Sequence, residues 1–269
     1  NPESEKWFKG VLDDLIKDYG VDGFKFDAGS SRFYKNIKGF QEVMPIAHTE
    51  LFAKIGLSYP YNEYRTTWKL GGQPLVQRLA DKGHDWEDLK KLIPHMLLEG
   101  IMGYPFSCPD MIGGGYFLSF LNDAPIDQEL VVRSTQVHAL MPMMQFSVAP
   151  WRILDKKHFN AVLSAVDLRE EFKENILSLA KDASVNGEPI VRSMEYVYPH
   201  KGYVDVTDQF MLGNNIIVAP LLSKGEGTRK VILPRGKWKS DTGKIYKGGK
   251  TIDIDVSITR LPYFTRVGL

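Results

Sequence analysis

Cysteine is nearly absent: Cys108 stands alone in 269 residues, so no intrachain disulfide can form and no cysteine-rich metal site can be built. Long apolar runs are missing too. No stretch of about 18 uninterrupted apolar residues occurs, which excludes a membrane-spanning helix within this sequence. A surplus of one charge is lacking: 34 basic and 33 acidic side chains, well mixed, leave a formal net charge of +1 and no electrostatic footprint for nucleic acid or an anionic membrane surface. The six histidines, at positions 48, 84, 95, 138, 158 and 200, show no H-E-x-x-H or comparable spacing, so neither a metal nor a cofactor is expected. A signal-peptide start is missing as well. With 43% hydrophobic residues, the chain suffices for one large domain or a medium and a small one, and a neutral partner suits it best.

The sequence opens as the middle of a fold does. Asn1 suits a helix N-cap and Pro2 the first helical position, and Trp7, Val11, Leu12, Leu15 and Ile16 follow at helical spacing until Gly20. The true amino terminus, with any targeting signal, is therefore expected outside this segment, and the compartment stays open, secreted or periplasmic included. Up to about residue 155, short apolar runs alternate with longer amphipathic segments, the pattern of repeated strand-helix units. Strands are expected over Gly23 to Phe26, Tyr61 to Trp68, Leu75 to Leu79, Tyr104 to Cys108 and Met141 to Ser147. Helices are expected over Trp86 to Leu98, with Leu89, Leu92, Ile93, Met96 and Leu97 inward and a kink at Pro94, then over Asp127 to Leu140 and Glu170 to Lys181. From Glu188 the composition turns to β-type runs, Ile190 to Tyr198, Asn215 to Leu221, Arg229 to Leu233 and Thr251 to Val256. An antiparallel β domain is expected over 205–269, after an α/β domain over 1–204.

Carboxylates recur at the ends of these strands. Gly23-Phe24-Lys25-Phe26-Asp27-Ala28-Gly29 is a buried-strand pattern ending in an acid and small residues. In a parallel barrel, Asp27 would sit at the carboxyl-terminal face where such enzymes assemble their chemistry, with Gly29 allowing close approach; otherwise it is a solvated acid before a turn. Leu75 to Ala80 leads likewise to Asp81, with Asp85 and Asp88 as rivals that pattern alone does not separate. Two carboxyl groups from different strands, roughly 5 to 5.5 Å apart, are the equipment of retaining glycoside hydrolysis. Asp110 follows a third strand beside Gly113-Gly114-Gly115, where the lysine and spacing of a phosphate loop are missing and a polyol ligand fits better. Of Tyr61, Tyr64, Trp68, Trp86, Tyr116, Phe146 and Trp151, one or two are expected to stack on a sugar ring and the rest to be core.

Taken together these segments resemble glycoside hydrolase family 31, the retaining α-glucosidases, α-xylosidases and their relatives. Lys25-Phe26-Asp27-Ala28-Gly29-Ser30 is similar to the family's nucleophile segments K-x-D-F-G-E and W-x-D-M-N-E. Asp81, with Trp86 five positions on and Leu92-Ile93-Pro94 in the helix after it, is similar to the acid/base that ends W-x-G-D. Tyr64-Arg65-Thr66 resembles its R-S strand end, and Pro109-Asp110-Met111-Ile112-Gly113-Gly114 its P-D-I-G-G loop. Glu188 to Arg192 and Asp208 to Pro220 resemble the end of its barrel and the start of its proximal β domain.

The resemblance implies a fold: the second half of a (β/α)8 TIM barrel followed by a C-terminal antiparallel β-sandwich. It implies Asp27 as nucleophile and Asp81 as acid/base in a double displacement, with Lys25, Arg65, Arg78, Asp110, Trp68 and Trp86 around an oligosaccharide or glycoside substrate. Lys25 would support the charge of Asp27, bind a hydroxyl, or form a structural ion pair. Ala28-Gly29-Ser30 lacks the acid that follows the nucleophile in glucosidases, and Arg78-Leu79-Ala80 replaces W-x-G. These departures resemble the branch with α-galactosidases, which implies terminal α-galactose, with α-glucose or α-xylose as alternatives. The first barrel strands and the family's N-terminal β-sandwich have no counterpart here, so the remainder of a longer polypeptide is an expected partner. The competing expectation is a carbohydrate-binding barrel without turnover.

Overall fold

The computed structural model of the protein describes residues 1–36, 38–39, 42–120 and 125–268. Its first helix, α1 (Pro2–Tyr19), begins where the sequence signals it: the Asn1 side chain accepts the Glu3 N–H, Pro2 occupies the first turn, and Gly20 closes the helix in the left-handed conformation. Then come β1 (Gly23–Phe26), a 3-10 turn at Ser31–Tyr34, α2 (Pro45–Gly56), β2 (Tyr61–Tyr64) and β3 (Val76–Arg78). These make up one compact unit, Asn1–Arg78. The three strands run parallel, with Gly23 to Phe26 beside Tyr61 to Tyr64 and Glu63-Tyr64 beside Val76-Gln77. Aromatic rings hold the unit together: Phe26 stacks on Tyr64 at 5.2 Å and meets Phe52 of α2 edge-on at 5.7 Å, and Phe52 in turn stacks on Phe8 of α1. The helix α2 has no counterpart among the sequence expectations. The strand expected over Tyr61 to Trp68 ends at Tyr64, where the Gln77 side chain donates to the Arg65 carbonyl at 3.2 Å, a group a ladder would otherwise use, and accepts from the Thr67 hydroxyl at 2.6 Å.

The second unit, Leu79–Leu269, contains α3 (Trp86–Ile101), β4 (Ser107–Cys108), α4 (Gln128–Ala139), the single turn α5 (Pro150–Ile153), α6 (Lys156–Glu171), α7 (Lys173–Asn186), β5 (Val191–Arg192), the single turn α8 (Met194–Val197), and then β6 (Phe210–Leu212), β7 (Ile216–Val218), β8 (Gly227–Leu233), β9 (Lys237–Ser240), β10 (Ile245–Lys247), β11 (Lys250–Val256) and β12 (Tyr263–Val267). The inward face expected for α3 is the buried one, and the helix continues through Pro94. Three expectations fail because side chains take the chain elsewhere. No strand forms over Met141 to Ser147, where only Phe146 makes an isolated bridge to Ile112: the Arg169 guanidinium takes the carbonyls of Ala139, Met141 and Pro142. Glu170 to Lys181 is not one helix, because the chain breaks at Phe172, whose ring packs edge-on against Tyr263. Ile190 to Tyr198 is strand only at β5, since Ser193 caps α8 by accepting the Tyr196 N–H.

The antiparallel sheet β10-β9-β12-β7-β6-β5 starts upstream of residue 205, with β5, and is buried on both faces at β5, β6 and β7, while β9 alternates buried and exposed residues and β10 is largely exposed. Alternation along the strands sorts the side chains: Phe210, Leu212, Ile216 and Val218 join the core with Ile93, Met96 and Ile176, whereas Met211, Ile217 and Phe264 face Val231, Leu233, Ile254 and Val256 of the β8/β11 pair. That second layer makes the sandwich. Polar groups tie α4 to it. Arg133, fully buried, donates to the carbonyls of Ser257 at 3.1 Å and Gly225 at 3.4 Å, and Gln136 donates to that of Ile258 at 2.8 Å. Arg133→Met strands these carbonyls and its partner Glu129 (3.7 Å). It is expected to lower stability by roughly 3–5 kcal/mol, read as an earlier thermal or urea transition. An unchanged midpoint would show that the tie is not a stabilising one.

Candidate active site

The two strand-end carboxylates occupy different units and have different surroundings. Asp27 follows β1 directly, with its side chain 54% exposed. Two guanidinium groups grip it: Arg65 donates from Nε to Oδ1 at 2.7 Å and from Nη2 to Oδ2 at 3.3 Å, and Arg78 donates from Nη2 to Oδ1 at 2.9 Å. Partial burial alone would raise its pKa, but the hydrogen bonds and charges of Arg65 and Arg78 outweigh that and hold it below the ordinary aspartate value. The result is an ionised, half-open carboxylate. The chain turns away at Gly29, whose φ of 90° and close approach to Phe52 leave no room for a Cβ; this glycine serves the turn and the packing of α2. Lys25 is ion-paired with Glu63 at 3.1 Å, the structural pairing among its expected parts, and Glu63 also lies 3.6 Å from Arg78 Nε. Sequence reasoning missed Glu63. Its signal was there to read, an acid inside the otherwise uncharged strand Tyr61-Asn62-Glu63-Tyr64.

Asp81 lies after Leu79, whose N–H donates to the Cys108 carbonyl at 2.9 Å, and is partly exposed at the head of a fastened loop. Lys82 Nζ donates to the Ala80 carbonyl at 2.7 Å and the Lys82 N–H to Asp110 Oδ2 at 2.7 Å, while the Lys82 carbonyl accepts from the Tyr116 N–H at 3.1 Å. Gly114, at a φ of 95°, runs so close beneath that an added Cβ would lie 2.6 Å from the Lys82 oxygen. Both rival acids are engaged elsewhere. Asp85 is the N-cap of α3, accepting the Asp88 N–H at 2.8 Å, and Asp88 accepts the Gly83 N–H and the Lys91 ammonium, both at 2.6 Å.

Other expected ligands are placed differently. Asp110 is 1% exposed and its Oδ2 accepts the N–H groups of Lys82 and Gly115 (2.8 Å), so it braces the loop that carries Asp81 instead of lying open to solvent. The Trp86 indole donates to Asp127 at 3.1 Å and its partly buried ring packs on the helical core, tying α3 to the start of α4. Arg78, 1% exposed, reaches Asp27 and not solvent. Trp68 is 43% exposed and keeps an open face. Among the described residues no group of three or more His, Cys, Asp or Glu side chains is arranged to hold a metal.

Comparison with known proteins settles the family. Residues 1–172 match the model of the glycosyl hydrolases family 31 TIM-barrel domain, and residues 187–269 that of the glycosyl hydrolase family 31 C-terminal domain. The chain belongs to glycosyl hydrolase family 31. Within the family it is 32% identical to the mouse myogenesis-regulating glycosidase, over 98% of this chain and 39% of that protein. It is 25% identical to alpha-glucosidase 2 of Bacillus thermoamyloliquefaciens, over 100% of this chain and 37% of that one. A family 31 dextranase from Flavobacterium johnsoniae superposes with a TM-score of 0.86 at 23% identity, over the whole of this chain and 37% of its own. The chain thus spans well under half the length of these relatives. The family fold is barrel elements followed by a C-terminal domain with an antiparallel sheet, as the sequence implied.

Proposed function

We propose that this chain carries the catalytic acids of a retaining α-glycoside hydrolase that removes a terminal sugar by double displacement, Asp27 as nucleophile and Asp81 as acid/base. The observation that carries this reading is the carboxylate of Asp27, ending a parallel strand in a family 31 barrel segment, held ionised by Arg65 and Arg78 yet half open. In the first step Asp27 attacks C1, the glycosidic C–O bond breaks, and its oxygen leaves with the proton of Asp81. In the second, Asp81 takes a proton from water, whose oxygen bonds to C1 as the ester to Asp27 breaks, so that configuration is retained.

For the sugar, relatives whose names state one are mostly α-glucosidases, which supports terminal α-glucose over the galactose implied by the departures around Asp27. One observation keeps α-galactose as a second reading: Ala28-Gly29-Ser30 offers no acid after the nucleophile. Initial rates on matched p-nitrophenyl α-glucoside, α-galactoside and α-xyloside test both, with a glucoside preference expected. A galactoside preference would reverse the choice of sugar and leave the mechanism, and no cleavage of any would favour a binding barrel without turnover.

A further inference from the structure

The charged groups behind Asp27 form a connected chain in the first unit. The β1/β2 register sets Lys25 beside Glu63, and the β2/β3 register sets Glu63 beside Val76, so Arg78, two residues on, shares that sheet face. Glu63 Oε1 lies 3.1 Å from Lys25 Nζ and 3.6 Å from Arg78 Nε, and Nη2 of the same guanidinium donates to Asp27 Oδ1. Glu63 is 8% exposed and Arg78 1%, so neither is placed to take a sugar hydroxyl from solvent. The two oxygens of Asp27 differ in consequence. Oδ1 accepts two short bonds, 2.7 Å from Arg65 and 2.9 Å from Arg78, while Oδ2 accepts one of 3.3 Å.

We propose that Glu63 and Arg78 are a positioning relay: the buried Glu63 carboxylate holds the guanidinium by charge, as an ion pair 3.6 Å from Nε, and the guanidinium fixes Oδ1 of Asp27 by a hydrogen bond, leaving Oδ2 as the oxygen that attacks. This rests on the assignment of Asp27 as nucleophile. In the attack a lone pair of Oδ2 forms the bond to C1 while the glycosidic C–O pair departs with the leaving oxygen, which takes the acid's proton. Oδ1 keeps both arginine bonds through the step, so the ester forms without the carboxylate having to rotate. An arginine is suited to this because its fork spans two carboxylates at fixed angles, which an ammonium does not. The charged groups facing Asp27 are Arg65 beyond β2 and Arg78 on β3, with Glu63 and Lys25 behind them.

The test is the pH profile of kcat/KM, together with kcat and KM, for the full-length protein and its Arg78→Met, Arg78→Lys and Glu63→Gln variants on the aryl glycoside the wild type cleaves best. Peptide mapping after inactivation with a fluorinated glycosyl fluoride accompanies it. Arg78→Met is expected to raise the acid limb by about one pH unit, since it removes an opposite charge in contact with Asp27. It is also expected to lower kcat by about tenfold or more, with KM little changed. Glu63→Gln is expected to lower kcat without raising the limb. Arg78→Lys is expected to hold the limb near its wild-type position while recovering only part of kcat, and it carries the test should Arg78→Met fail to fold. A label on Asp27 with wild-type kcat and limb in the Arg78 variants would overturn the relay and leave the nucleophile in place; a label on another residue would overturn both.

Discussion

Asp27→Ala lowers hydrolysis of the best aryl α-glycoside by on the order of 10⁴ to 10⁶, the range in which removal of a covalent nucleophile falls. The size follows from the role proposed for the side chain: without it no ester to C1 would form, and a water would have to attack the face the carboxylate now fills. Azide is the decisive addition. In the space left by the carboxylate it attacks C1 directly, so the variant plus azide should yield a β-glycosyl azide from an α-glycoside. Wild-type rates in Asp27→Ala, with no azide product, would remove Asp27 from the mechanism. The variant also leaves Arg65 and the buried Arg78 without their shared anion, so its thermal stability must be measured alongside.

Asp81→Ala should cost roughly 10² to 10⁴, and the cost should depend on the substrate. A disaccharide, whose leaving alkoxide needs a proton, bears the full loss, whereas an activated aryl glycoside leaves unaided and reacts slowly only in the second step, where the general base is missing. Azide should then restore turnover by attacking the glycosyl-enzyme, and the product is an α-glycosyl azide, the opposite anomer from that of the Asp27 variant. The pair of products distinguishes the two roles without reference to rate. Asp85→Ala and Asp88→Ala serve as controls: each removes a capping or turn contact at the start of α3 and should cost about 1 kcal/mol of stability with catalysis retained. Leaving-group dependence in either of these, and not in Asp81→Ala, would move the acid/base assignment to that residue.

Legibility was uneven for physical reasons. Elements whose signals are local were readable: Asn1, Pro2 and Gly20 bound α1, and the apolar spacing of α3 names its buried face. Elements that depend on a distant side chain were not. Met141 to Ser147 has strand-like composition, but the carbonyls of Met141 and Pro142 are taken by Arg169 from α6, and Phe172 breaks a helical run where a ring on β12 meets it. The same distinction runs through the site. Asp27 and Asp81 are legible as acids ending apolar runs. That Asp110 accepts the Lys82 N–H and that the Trp86 indole reaches Asp127 are facts about partners 28 and 41 positions away, which a pattern does not encode.

Short-range periodicity, and motifs whose spacing the chain preserves, were enough for the family, the order of barrel elements and antiparallel domain, and the two strand-end acids. Which charges act on Asp27 could be known only once the sheet was folded. Arg65 and Arg78 reach it from 38 and 51 positions away, and Glu63 enters beside Lys25, because parallel pairing of β1, β2 and β3 brings their ends into register. Ionisation of a carboxylate depends on the charges within a few ångströms of it, and the pairing of distant strands sets which charges those are.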